Sequence, residues 1–264
     1  MDAGERAEAG GGRAPEAVVS GNCELPGATL AAELLALAEA DARHTPMDAL
    51  LEAANRGELD EDRCFRLLGR LWTLKRTMYY VYGGWAMGLN VNEFPPSVAY
   101  LFGKQIYDDS THEMQYVDEI LRRGWAPTQR AAFRHPYCAF TPATRLAYFV
   151  FALRALTNYR QNIRIAALNL GAKVIELTWL ERFGRDFPDA RLRAVFAGQV
   201  PETRSHVLMG RLIVERCVDS AIDAGLCRID HGVVRQNYLF ALDEIAAATL
   251  GLAAPAGEVV IPKD

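Results

Sequence analysis

The sequence predicts an all-α protein. Apolar residues recur at steps of three and four over long stretches, almost no segment alternates with period two, and the β-branched residues are not clustered between turns. With 264 residues, 50% hydrophobic and 23% charged, the chain is long enough to bury one large core.

The elements follow in order. Residues 1–27 are rich in Gly, Ala, Glu and Pro with little periodic apolar signal, which predicts a disordered tail ahead of a single helical domain over 28–264. A first helical segment covers Ala31 to Asn55 and is interrupted at His44-Thr45-Pro46, because proline pushes its predecessor out of helical geometry. From Glu61 to about Leu89, the residues Leu67, Leu71, Leu74, Met78, Val81 and Trp85 form the stripe of a long amphipathic helix, which Gly83-Gly84 and NVNEFPP then stop. A second long helix spans about Ser97 to Arg123, with Gly124 as its C-terminal stop. Prolines break the stretch from Trp125 to Thr144 three times, so it reads as a crossover connection. A third long helix is expected over about Arg145 to Phe183, and a turn in RDFPDA supplies an aspartate before the fourth run, Arg191 to Ala224, which Pro201 would bend. AGLCRIDHG then leads to a last helix near Val233 to Leu250.

Charge and composition exclude several functions. A formal net charge of -4 leaves no basic field for a phosphate backbone, so nucleic acid is not expected as a partner. No apolar run approaches the roughly 20 residues that cross a bilayer, and the N-terminus lacks the apolar segment of a secretory signal, which predicts a cytoplasmic protein without a membrane partner. The five cysteines, Cys23, Cys64, Cys138, Cys217 and Cys227, show no C-x-x-C spacing and read as reduced structural thiols. There is neither a glycine-rich phosphate loop nor a G-x-S-x-G elbow.

The chemistry-bearing residues cluster in the predicted long helices. Asp109 stands three positions before His112 in QIYDDSTH, so both lie on one helix face and could grip one ion. The third helix offers Glu176 within the apolar context AKVIELTWL, and the fourth offers Glu202 and His206 in ETRSH, four apart. Two antiparallel hairpins joined by a long crossover would bring these groups to one level.

QIYDDSTH followed by EMQY resembles the second helix of the ferritin-like di-iron carboxylate superfamily, whose motif is an acid, two residues, then histidine. Glu176 and His206 fall where that family's third- and fourth-helix ligands stand, and the resemblance spans about residues 61–224. It implies a ferritin-like four-helix bundle with additional N- and C-terminal helices. It also implies a non-haem iron centre, of one or two ions with manganese as the alternative metal, held by Asp109, His112, Glu176, Glu202 and His206. The activity implied is that of an oxygenase or oxidase, which uses dioxygen to oxidise a small organic substrate and draws on an electron-donor protein. Tyr79 and Tyr80, with Tyr82, are the candidate redox-active or pocket-lining phenols, and Lys75 and Arg76 the candidate substrate-binding cations. A homodimer through an apolar helix face is the expected assembly.

The chain departs from the family twice. The first-helix glutamate has no counterpart, since that region reads TLKRTMYY; Glu93 is 16 residues of helix, about 24 Å, from Asp109 along the axis. The fourth-helix acid would fall at Thr203, one residue beyond Glu202, unless a π-bulge brings Glu202 round. Lys75 or Arg76 paired with Asp109 would replace the metal by a salt bridge, and the bundle would then be a metal-free structural subunit or a helical interaction module. Iron storage is a third reading. The plainer alternatives are an exposed acidic face for Asp108, Asp109, His112, Glu113 and Asp118, and a lysine or arginine, Lys173 or Arg164, as the simple partner of Glu176. His44, His135 and His231, each near a turn, read as loop residues without a role, and Asn162, Asn169 and Glu176 repeat every seven residues along one face.

Overall fold

The structure is a computed structural model, and it describes residues 26–80, 96–139 and 161–253. Residues 1–25 of the predicted tail and the glycine pair at 83–84 lie outside these residues, while Pro26 and Gly27, expected in the tail, open α1. All regular structure among the described residues is helical: α1 (Pro26–Ala42), α2 (Pro46–Asn55), α3 (Glu61–Tyr80), α4 (Pro96–Arg122), α5 (Gln129–Arg134), a 3-10 turn at Pro136–Cys138, α6 (Gln161–Asp186), α7 (Ala190–Cys217) and α8 (Ala221–Leu250). None of these helices is long and apolar enough to cross a membrane.

Local chemistry sets the boundaries. Proline at 46 opens α2, and the Asp48 carboxylate accepts a hydrogen bond from the Thr45 backbone N–H at 3.0 Å, closing the first turn. Gly124, at φ 70°, ends α4: Gly124 N–H donates to Leu121 C=O and Trp125 N–H to Ile120 C=O, the paired bonds that a left-handed residue after a helix permits. Asp189 caps α7, accepting from the N–H groups of Arg191 and Leu192 at 3.0 Å each.

Side-chain pairings fix the direction of the long helices. Gln105 pairs with Asn169 and Asp109 with Lys173, a constant offset of 64, so α4 and α6 run parallel. Asp108 meets His206, His112 meets Glu202 and Tyr116 meets Gln199, so α4 and α7 run antiparallel. Lys75 with Asp109 and Trp72 with Glu113 set α3 antiparallel to α4. The α6–α7 hairpin is closed by glycines: a Cβ on Gly210 would lie 2.6 Å from Asn169 Cβ, and one on Gly184 2.8 Å from Ala197 Cα. Two antiparallel hairpins, α3–α4 and α6–α7, are thus connected so that their middle helices are parallel.

One apolar cluster runs through every element, with Trp179, Phe183, Phe187 and Phe196 forming edge-to-face and stacked contacts where α6 and α7 meet. Helix α1 lies on α6 and α7, and α8 lies on α6 and α3.

Three expectations are corrected. AGLCRIDHG is not a connection but the first part of α8, which starts after Ser220, whose hydroxyl accepts from Asp223 N–H. Packing on α6 offsets the helix cost of Gly225 and Gly232, a tertiary override of propensity. His231 is accordingly no loop residue: it is buried, with Nε2 3.2 Å from the Leu170 carbonyl oxygen, and burial drives its pKa down to about 4. The fourth run ends earlier than expected, at Cys217, and continues as α-helix through Pro201.

Candidate functional site

Three helices of the two hairpins turn a polar stripe inward, and the fourth adds one lysine. On α4 it comprises Gln105, Asp109, His112 and Tyr116; on α6, Asn169, Lys173 and Glu176; on α7, Gln199, Thr203 and His206; on α3, Lys75. Steps of three and four place each set on one helix face. All of these residues are buried.

At the centre, two ammonium groups and two carboxylates form a closed set. Lys173 Nζ lies 2.7 Å from Asp109 Oδ1 and 2.8 Å from Glu176 Oε2. Lys75 Nζ lies 3.2 Å from the same Asp109 oxygen and also bonds Glu176 Oε1. Each carboxylate therefore touches both lysines, and no member is more than 2% exposed. The formal charges cancel, which is the condition under which four buried charges are tolerated.

The electrostatics follow. Burial pushes Asp109 and Glu176 up, but the Lys173 and Lys75 ammonium groups outweigh it and hold both acids below the usual carboxylate range. Burial opposes the charge on Lys75, and Glu176 and Asp109 more than compensate, raising it. Both central imidazoles are held neutral. Burial, aided by Lys75, lowers His112; burial, aided by Lys173, brings His206 down to about 4.

Polar layers flank this centre. On one side, the Gln105 and Asn169 side-chain amides exchange two hydrogen bonds of 2.9 Å. On the other, Tyr116 hydroxyl donates to Gln199 Oε1 at 3.2 Å, with burial pushing the phenol pKa up. His206 Nε2 lies 3.2 Å from Asp108 Oδ2, which also accepts from Lys104 at 2.6 Å.

The expected site residues are thus partly assembled. Asp109, His112 and Glu176 share the centre: His112 Nδ1 stands 3.7 Å from Asp109 and 3.5 Å from Lys75. His206 belongs to the same interior but addresses Asp108 rather than Asp109. Glu202 sits at the rim, 38% exposed at its side chain and 3.9 Å from His112 Nε2, while Thr203 takes the inward position next to it; α7 has no π-bulge here. Arg76 is half-buried away from the centre, with its guanidinium 4.4 Å from the Phe133 ring and 3.8 Å from Glu113. Tyr79 and Tyr80 end α3 and their side chains, with Tyr82, lie outside the described residues.

The plain acidic-face reading fails for Asp108 and Asp109, which are buried, and holds for Asp118. Lys173 was one of two candidate partners for Glu176, and it is the one that pairs. Arg164 instead binds Asp230 at 2.7 Å. The sequence does not single out Gln105, Tyr116 or Gln199. Their signal was present in the three- and four-residue steps from Asp109 and His206, but polar residues at such steps also describe a wetted face.

Among the described residues, no group of three or more His, Cys, Asp or Glu side chains surrounds a common metal position. A di-iron centre asks for a carboxylate from the first bundle helix, where this chain supplies the ammonium of Lys75. Both available central carboxylates are already neutralised, so the residues as arranged do not fit that group. Comparison with protein-family models, with curated proteins and with solved structures gave no match.

Proposed function

We propose that the chain is a ferritin-like helical bundle that works without a metal centre, as a structural or interaction subunit. One observation carries this reading: Lys75 and Lys173 stand among the acids that would otherwise hold the ion, each bonded to both Asp109 and Glu176. A divalent cation there would meet two ammonium groups in a low-dielectric interior, where like charges repel strongly. The connectivity of two antiparallel hairpins with parallel middle helices supports the ferritin-like assignment. Function then resides in surfaces rather than in bound oxygen.

A specific observation keeps the oxygenase as the second reading. Asp109 Oδ2 and His206 Nδ1 are buried without a hydrogen-bond partner among the described residues, and the neutral imidazoles are in the state that binds metals. Elemental analysis of protein purified from iron-supplemented medium, wild type beside His112→Ala, separates the two. The subunit reading expects well under one metal per chain in both. About one or two irons per chain, lost in the variant, would overturn it and direct attention to oxygen-dependent substrates.

A further inference from the structure

We propose that the outer face of α4 is a self-association surface, on which α4 of a second copy packs antiparallel. This goes beyond the absence of a metal and rests on the surface of the helix, not on the buried charges.

Tyr100, Tyr107 and Met114 are 72%, 70% and 62% exposed and lie seven residues apart, with half-buried Leu121 at the next step. A seven-residue step drifts only about 20° around a helix, so these side chains make one stripe, about 32 Å long at the usual rise per residue. Large apolar residues exposed in a continuous row mark contact sites, and tyrosine is enriched in such contacts.

Small residues alternate with the large ones. Gly103 and Ser110 lie on the same face, again seven apart. A glycine inside a helix is less favourable than alanine, and at Gly103 nothing among the described residues requires it, because a Cβ there would meet none of their atoms within 4 Å. A partner helix passing closely over Gly103 supplies the missing reason.

The charges fit the same arrangement. Lys104 and Asp118 flank the stripe at opposite ends of its central part, both exposed. Asp118 has no ion pair among the described residues, and the Lys104 ammonium keeps donors beyond the one it gives Asp108. An antiparallel copy crossing at the level of His112 sets Met114 over Ser110 and Leu121 over Gly103 of the other chain. It also leaves Lys104 of each chain about 3 Å along the axis from Asp118 of the other, within reach of the long lysine side chain, two equal pairs, as a twofold contact demands. A parallel copy would place like charges together.

The test is the molar mass of the full chain by light scattering across a concentration series, with variants. Wild type is expected to reach twice the 29.2 kDa chain mass, and Tyr107→Glu and Gly103→Leu to return it to one chain with helicity retained. Gly103→Leu favours the helix itself, so loss of the dimer there is not loss of fold. Asp118→Lys should raise the dissociation constant about tenfold. Oxidation of Thr111→Cys should give an interchain disulfide that Arg211→Cys, on the exposed face of α7, does not. A monomer at every concentration would overturn the proposal. So would a dimer indifferent to Gly103→Leu and Tyr107→Glu, which would place the contact elsewhere.

Discussion

Lys173 and Asp109, 64 positions apart on parallel helices, meet at 2.7 Å in the centre of the bundle with neither side chain reaching solvent. Removing one partner from such a set leaves an uncompensated buried charge. Lys173→Met is therefore expected to lower unfolding free energy by about 3–5 kcal/mol in urea titration. Lys173→Met with Glu176→Gln should recover part of that loss, because the pair is coupled and the single costs do not add. A strictly additive double variant would contradict the closed arrangement.

The pH dependence of stability follows from the same groups. The folded-state pKa values of His206 and His231, each about 4, lie below the ordinary value near 6.5, so the unfolded chain binds these protons more readily. Stability is fully present above about pH 6.5 and falls as pH drops toward 4, by about 1.4 kcal/mol per pH unit for each imidazole. Asp109 and Glu176, lowered in the folded state, add a further loss below about pH 4. Lys75, raised, contributes below its unfolded value near 10.4 and loses that contribution only as pH rises beyond it. Thermal melts from pH 3 to 11 should therefore show a plateau from about 7 to 10.

Two glycine substitutions should have opposite signs. Gly210→Ala forces a Cβ to 2.6 Å from that of Asn169 and 3.0 Å from the Ala166 carbonyl oxygen, and is expected to cost about 1–3 kcal/mol. On the same helix, a Cβ at Gly198 meets nothing within 4 Å among the described residues. Gly198→Ala should stabilise by about 0.4–1 kcal/mol. Denaturation midpoints of the two variants check both.

The Gln105–Asn169 layer gives a double-mutant test. Gln105→Leu alone leaves the buried Asn169 amide without its two partners and should cost about 1–3 kcal/mol. Adding Asn169→Leu removes the orphan and should restore much of the loss, measured by chemical denaturation.

The sequence made the helices legible where their stripes are amphipathic. α4 was bounded to within a residue because its apolar steps and Gly124 agree. α8 was misread at its start because Gly225 and Gly232 look like a connection, and only the contact with α6 shows why they are helical. The interior was half legible. Asp109 with His112, Glu176 and His206 do enter one core, and of the two cations the sequence offers as partners of Asp109, Lys75 and Arg76, it is Lys75 that pairs with it. That Lys173 completes the set depends on α4 and α6 being parallel, which no local pattern encodes. Asp108 and Asp118 are both acids on α4, yet one is buried against His206 and the other is exposed. Their spacing of ten residues puts them on different faces, and sequence alone does not say which face meets α7.

The most direct measurement is the nitrogen-15 resonance of the Lys75 ammonium group, assigned through Lys75→Arg and followed to pH 11 with and without stoichiometric Mn2+. A charged ammonium at pH 11, beyond the range of a free lysine, and a resonance that manganese leaves sharp are expected. A neutral amine near pH 8, or broadening of the signal at one manganese per chain, would contradict a bundle centred on ammonium in place of metal.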